Sequence, residues 1–210
     1  MFSFRHLVLH RIVLHISANQ WRTSVLKACV GAYVARGVAE DIADACLALL
    51  ELGQDPLPVL LPLIEKFDGS VQPAEWQARG GVYAASSTKV LMDGPSIFDL
   101  AEAGKTVRCS VDEGLMTFAL MAARMKSHDV LFDLVMNGDQ IKNMTSVQFG
   151  PAEIVVRLST DSKTREQPAH AFPVPNENDW IRLQKLADEI LVPADDTNRA
   201  DAGAGLTDND

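Results

Sequence analysis

A chain of 210 residues, 47% hydrophobic and 22% charged, can bury roughly 70% of the surface its unfolded form exposes, so it folds without disulfide or metal staples. Its net charge of −9 argues against a nucleic-acid partner, and no apolar run reaches the roughly 18 residues a membrane span needs. Cys29, Cys46 and Cys109 are isolated, odd in number and free of CxxC spacing. That excludes a zinc ribbon and complete intrachain pairing, and it points to a reducing, cytoplasmic setting.

In chain order, residues 1–16 fit neither helical nor strand period and are read as an N-terminal extension. His6, His10, Arg11 and His15 interrupt the apolar run and no small-x-small cleavage site follows, so a secretory signal is rejected. The three histidines come without a carboxylate and predict no metal site. From Ser17 the period is helical: Ser17 or Asn19 caps a helix carrying Trp21, Val25, Leu26, Cys29, Val30 and Tyr33, and Gly37 is expected to end it. A second helix follows with acids in its first turn and Ile42, Ala45, Cys46, Leu49 and Leu50 as its stripe, stopped by Gly53. A third starts at Pro56 and Pro58 and is kinked or delayed by Pro62.

A loop is expected from Asp68 to about Gly81, then an extended stretch through Met92. Gly94 and Pro95 should turn the chain into a short helix from Ile97 to Ala101, closed by Gly104. Residues Thr106–Asp112 alternate as a strand, and a methionine-rich helix follows with Leu115, Phe118, Ala119, Ala122 and Met125 on one side. Val130–Met136, Asn143–Phe149 and Glu153–Ser159 predict an antiparallel meander, with Asn137-Gly138 and Gly150-Pro151 as turns. A last helix is capped by Asn176 or Asn178, turns Trp180, Leu183, Leu186 and Ala187 inward, and is broken by Pro193. The result is an α+β class: a helical hairpin plus third helix over about 17–67, a mixed part over about 82–193, and a glycine-rich tail over 194–210, all in one domain spanning 17–210.

Charge is uneven. Residues 1–39 hold Arg5, Arg11, Arg22, Lys27 and Arg36 and no acid, while all 28 acidic residues follow. This reads either as a solvated basic face or as a face that docks on the acidic body of a second subunit. The phosphate-cradling GxGxxG and Walker A patterns are missing, as are HExxH and GxSxG, and no cofactor or metal is expected. His128 follows a helix and reads as a C-terminal cap held by the dipole; His170 is uninformative. Asp112 and Glu113, between a strand and a helix, read as an N-cap or as the lip of a cleft. The tail "NRADAGAGLTDND" combines small residues, which let backbone approach another surface, with Asp208, Asn209 and Asp210, whose oxygens suit a hard cation. A loose acidic end is the plain alternative.

Three stretches resemble a bacterial family of uncharacterised proteins, domain of unknown function 3726. They are "SANQWRTSVLKACVGAYVARGVAEDIADA", "LMDGPSIFDLAEAG" and "LVPADDTNRADAGAGLTDND". The resemblance runs from Ser17 to Asp210 and leaves the extension outside. It departs at Thr197-Asn198, where the family has small residues, and before Val192, where it has Thr-Tyr. It implies a shared fold and an ordered, used tail, and it brings no assigned activity. The helix pair is more faintly similar to the N-terminal segment of malate/sulfolactate-type dehydrogenases, but their Ser-His-Gly is missing after "ALLELGQDPLP".

The expectation is a cytoplasmic small-ligand-binding or accessory protein, a homodimer, without nucleic-acid or membrane partners. Its C-terminal loop, with Arg199, Gly203, Gly205, Asp208 and Asp210, would line a pocket for a small anionic or polar ligand, Arg199 serving as the anion fork. The alternative is an enzyme acting on a small carboxylate or amino-acid-like substrate, with Asp208 or Asp210 as base or metal ligand.

Overall fold

Ser17 opens the first helix, α1 (Ala18–Gly31), through a capping box: its hydroxyl accepts from the Gln20 N–H at 3.2 Å, and Gln20 Oε1 accepts from the Ser17 N–H at 2.8 Å. The computed structural model describes residues 16–67, 69–147, 149–160 and 172–188. Contrary to the expected stop at Gly37, α1 ends six residues earlier, in a Schellman turn whose left-handed position is Tyr33 (φ 65°). The Tyr33 N–H donates to Val30 O and the Val34 N–H to Cys29 O. Val34 and Cys29 are both buried, which supplies the apolar clasp of that motif, and Gly37 lies inside α2 (Arg36–Glu51). Because α2 starts at Arg36, no acid falls in its first turn; Glu40 and Asp41 stand in the second. Gly53 (φ 76°) closes α2 with the same turn, as its sequence suggests.

Helix α3 (Leu57–Lys66) tolerates Pro58 in its first turn and runs on through Pro62. The expected loop before Gly81 contains a short strand, β1 (Gln77–Arg79), joined to β2 (Val82–Thr88) by Gly80 and Gly81, both at positive φ. The chain then departs from expectation again. Val90–Met92 are not extended, and Gly94-Pro95 is not a turn, because one helix, α4 (Val90–Glu102), spans them all. Its exposed first donors are met by side chains from inside and outside the helix. Asp93 Oδ2 accepts from the Lys89 N–H at 2.9 Å, and Asp112 Oδ1 accepts from the Val90 N–H at 2.8 Å. Gly94 is there for packing, since a Cβ on it would lie 2.6 Å from Leu120 Cδ1. Gly104 (φ 75°) ends α4 as expected.

Strand β3 (Thr106–Val111) and helix α5 (Gly114–His128) follow, then β4 (Phe132–Met136) and β5 (Asp139–Ile141), joined by Asn137-Gly138 with both φ values positive, as a type I′ hairpin requires. The expected strand over Asn143–Phe149 is replaced at its start by a 3-10 turn, Met144–Ser146. There Asn143 O accepts from Ser146 Oγ at 2.8 Å and Asn143 Oδ1 from Thr145 Oγ1 at 2.7 Å, local bonds that compete with a ladder. Strand β6 (Ala152–Leu158) and helix α6 (Glu177–Asp188) complete the described chain. The last helix takes its cap from Asn176 Oδ1, which accepts from the Asn178 N–H at 2.9 Å.

Across the sheet the strands run β1-β2-β3-β6-β4-β5, with β2 and β3 parallel and every other pair antiparallel. The antiparallel second half is present as predicted, with β4 between β5 and β6. Val107, Cys109 and Val111 of β3, Ile154 and Val156 of β6, and Leu134 and Met136 of β4 are buried under α4 and α5. Helix α2 packs over α4 and α5, and α1 joins α2 to α6, where Trp21 and Trp180 meet edge to face at 4.9 Å. All described helices therefore lie on one side of the sheet. No described helix is long and apolar enough to cross a membrane.

Candidate functional site

The tail residues singled out from sequence, Arg199, Gly203, Gly205, Asp208 and Asp210, lie outside the described residues, as do His6, His10, His15 and His170. Among the described residues no group of three or more His, Cys, Asp or Glu side chains is placed to hold a metal ion.

Asp112 and Glu113 settle as structural acceptors. Glu113 caps α5, its Oε1 accepting from the Leu115 N–H at 3.0 Å, and both its oxygens also accept from the Gly150 N–H at 2.9 and 3.0 Å. Asp112 caps α4 and lies 3.8 Å from Lys89 Nζ. Two helix N-termini do meet at the carboxyl ends of the parallel strands, but their leading donors are already occupied by these carboxylates. The three thiols are equally committed. Burial pushes Cys29 up to about 12, Cys109 to about 11 and Cys46 well above the usual range, so all three stay protonated and poorly nucleophilic near neutral pH. His128 sits in the last turn of α5 with Nδ1 2.9 Å from Glu102 Oε2, a partner the sequence alone did not name.

Between α2 and α5 the described surface holds a cleft of about 510 Å³. Leu47 and Ala48 of α2 and Leu120 and Ala123 of α5 give it an apolar floor. Its walls are charged: Asp41, Asp44 and Glu51 from α2 face Arg124, Lys126 and His128 from α5. Arg124 is the centre of this arrangement, with only 14% of its side chain exposed. One of its terminal nitrogens is 2.8 Å from Asp99 and 3.7 Å from Asp41, and the other is 3.7 Å from Glu102. Lys126 pairs with Glu51, and Arg22 with Asp44 at 2.6 Å. The hydrogen bond from Arg22 to Asp44 holds that guanidinium above its ordinary value against the opposing effect of burial.

Asp41 differs from the other acids. Desolvation raises its carboxyl above the usual range and outweighs the attraction of Arg124, while Asp99, Asp44 and Glu40 add like-charge repulsion. A carboxylate held high in a cleft is a mark of ligand-binding chemistry as well as of ion-pair networks. In the cleft itself three carboxylates (Asp41, Asp44, Glu51) face two fixed cations (Arg124, Lys126) and His128, and the ion pairs that run out of it add Asp99, Glu102 and Arg22.

Of the residues lining this cleft, the sequence singled out His128 for a polar role, and as a helix cap rather than as part of a site. The signal was present in part: Asp41, Asp44, Ala48 and Glu51 recur at helical spacing, and so do Leu120, Ala123, Arg124, Ser127 and His128. What was missing was the knowledge that the two faces oppose each other. Comparison of the chain with protein-family models, with curated proteins and with solved structures found no match.

Proposed function

We propose that this is a small-ligand-binding protein whose site includes the α2–α5 cleft, and that the ligand is a small polar molecule bearing an ammonium or guanidinium group. The carrying observation is Asp41: a carboxylate kept above its ordinary range by desolvation, in a cleft where three carboxylates face two fixed cations and a histidine. A ligand cation would relieve that cost, with the apolar floor of Leu47, Ala48, Leu120 and Ala123 receiving its carbon skeleton. In the same reading the C-terminal tail supplies Arg199 as an anion fork for the ligand's other end, with Gly203, Gly205, Asp208 and Asp210 lining the approach. The family resemblance adds fold and not chemistry, because that family has no assigned activity. The enzyme alternative rests on the tail aspartates; the described thiols lend it no nucleophile.

Thermal shift with putrescine as the probe and succinate as its anionic counterpart tests the reading. At about one hundred times its Kd a ligand stabilises by roughly 2.7 kcal/mol, which for a chain of this size raises Tm by roughly 5–10 °C. The expected result is a saturable rise with putrescine that strengthens as pH rises through the Asp41 range, is lost in Asp41→Asn, and is not produced by succinate. Absence of a saturable rise, or its persistence in Asp41→Asn, overturns the proposal. Deleting Asp208–Asp210 separates the tail's part: binding falls with stability unchanged if the tail lines the site.

A further inference from the structure

We infer that His128 tunes the cleft's affinity for a cation with pH, as a positioning residue that acts through Glu102 on Arg124; this rests on the cation-binding reading above. The geometry is a chain of shared partners. His128 Nδ1 lies 2.9 Å from Glu102 Oε2, and Glu102 Oε1 lies 3.7 Å from one terminal nitrogen of Arg124. The other terminal nitrogen lies 2.8 Å from Asp99 and 3.7 Å from Asp41. Arg124 is therefore contested. Two carboxylates of α4, Asp99 and Glu102, hold it from one side, and Asp41 of α2 draws it from the other. The side chains of Arg124 and Glu102 are both mostly shielded from water, so a change of charge at one is felt strongly at the other.

Imidazole is the side-chain group whose charge ordinarily changes between about pH 5 and 8. A neutral ring leaves Glu102 to Arg124, and the guanidinium is held toward α4. Asp41 is then open to a ligand ammonium. A protonated ring takes Glu102 for itself. Arg124 loses one of its α4 partners and turns to Asp41, whose carboxylate it already attracts. Charge within the cleft shifts in the same direction. Asp41, Asp44 and Glu51 outnumber Arg124 and Lys126 by one, and His128 lines the same cleft, so a proton on its ring cancels the surplus. Both effects set the proton against the ligand cation, and the competition is reciprocal. Among the described residues, the charged groups around His128 are Glu102 of α4, Asp41, Asp44 and Glu51 across the cleft on α2, Arg124 and Lys126 on its own helix, and Asp129, which follows it. Helix α3 also touches α5 and carries Glu65 and Lys66; Glu65 is held by Arg182 of α6 at 2.6 Å.

Calorimetric titration of the full chain with putrescine, at constant ionic strength from about pH 4 to 8, tests the inference; the ligand's ammonium groups stay charged over that range, as a lysine's does. The expected affinity rises in two steps with pH. The lower belongs to Asp41; the upper, of about fivefold, falls where imidazole titrates. His128→Gln should lose the upper step and keep the lower, which assigns the step to one of the five histidines. Glu102→Gln keeps the imidazole but cuts its route to Arg124, so binding at pH 8 weakens and the upper step shrinks. Melting curves check that both variants are folded, and either one tests the route should the other fail to fold. A single step in the wild type, an upper step that survives His128→Gln, or one undiminished in Glu102→Gln overturns the inference and leaves the cleft reading standing. Absence of putrescine binding at every pH overturns both.

Discussion

Two glycine-to-alanine substitutions, Gly37→Ala and Gly94→Ala, should move stability in opposite directions although both sit in helices. At Gly37, in the first turn of α2, an added Cβ meets nothing within 4 Å. Alanine then brings only its helix preference, a gain of about 0.5 kcal/mol at this end position. At Gly94 the Cβ would lie 2.6 Å from Leu120 Cδ1 and 3.2 Å from Val90 Cγ2, inside contact distance of two fully buried side chains. Forcing a methyl into a filled core costs about 1–3 kcal/mol, and the helix preference returns about 1, leaving a net loss of up to about 2 kcal/mol, centred near about 1. Urea unfolding with m near 2 kcal/mol per M reads this as a midpoint lowered by about 0.5 M, and by at most about 1 M, for Gly94→Ala and raised by about 0.2 M for Gly37→Ala. Trimming the obstacle supplies the internal control. In a double-mutant cycle with Leu120→Ala, the Gly94→Ala penalty should shrink by about 1 kcal/mol or more. A Gly94→Ala midpoint at or above wild type, or a cycle with no coupling, would refute the claim that this glycine exists to let α4 and α5 approach.

Three more outcomes follow from particular residues. Tyr33 holds a left-handed backbone (φ 65°) with 83% of its surface exposed, so Tyr33→Gly removes strain of about 1–2 kcal/mol, returns about 0.5–1 as chain entropy, and should stabilise by about 0.5 kcal/mol, whereas Tyr33→Ala should not. Glu113→Ala removes the α5 cap and the charged acceptor for the Gly150 N–H and should cost about 2–4 kcal/mol by urea unfolding, with Glu113→Gln recovering part of it; a loss under about 0.5 kcal/mol would contradict the capping role. The third concerns pH. Asp41 has a folded-state pKa raised above its ordinary 3.8, so the folded chain binds its proton more tightly than the unfolded chain does. Its favourable contribution is complete below 3.8 and is lost as pH rises through the raised value. Asp41→Asn should therefore be more stable than wild type at pH 7, with the difference closing as pH falls through the raised value and gone below 3.8. Parallel melting curves of the two proteins across that range decide it.

The local punctuation of the chain was legible where a residue acts on its own neighbours. Ser17 with Gln20, Gly53, Gly104 and Asn137-Gly138 do what their types suggest, because a cap or a positive φ is satisfied within a few residues. Misreadings cluster where the deciding partner is far away. Gly37 and Gly94 look like stops, but a Schellman turn had already formed on Tyr33, and Gly94 answers to Leu120, 26 positions on. Val90 looks extended until Asp112 accepts its N–H from the next strand's end.

The candidate site was hidden for the same reason, and charge shows how. A sequence gives the surplus of −9 and a basic first 39 residues, but Coulomb attraction acts over space. Once α2 lies against α1, Arg22 has met Asp44, and within α2 itself Arg36 has met Glu40, so two of the five basic groups of that stretch are paired inside the chain. Elsewhere acids crowd Arg124 between α2 and α5, an arrangement that no reading of either helix alone reveals. The cleft therefore calls for a cation. Raised salt should weaken such binding less than it weakens an exposed pair, because a contact on a partly dry apolar floor is screened less strongly.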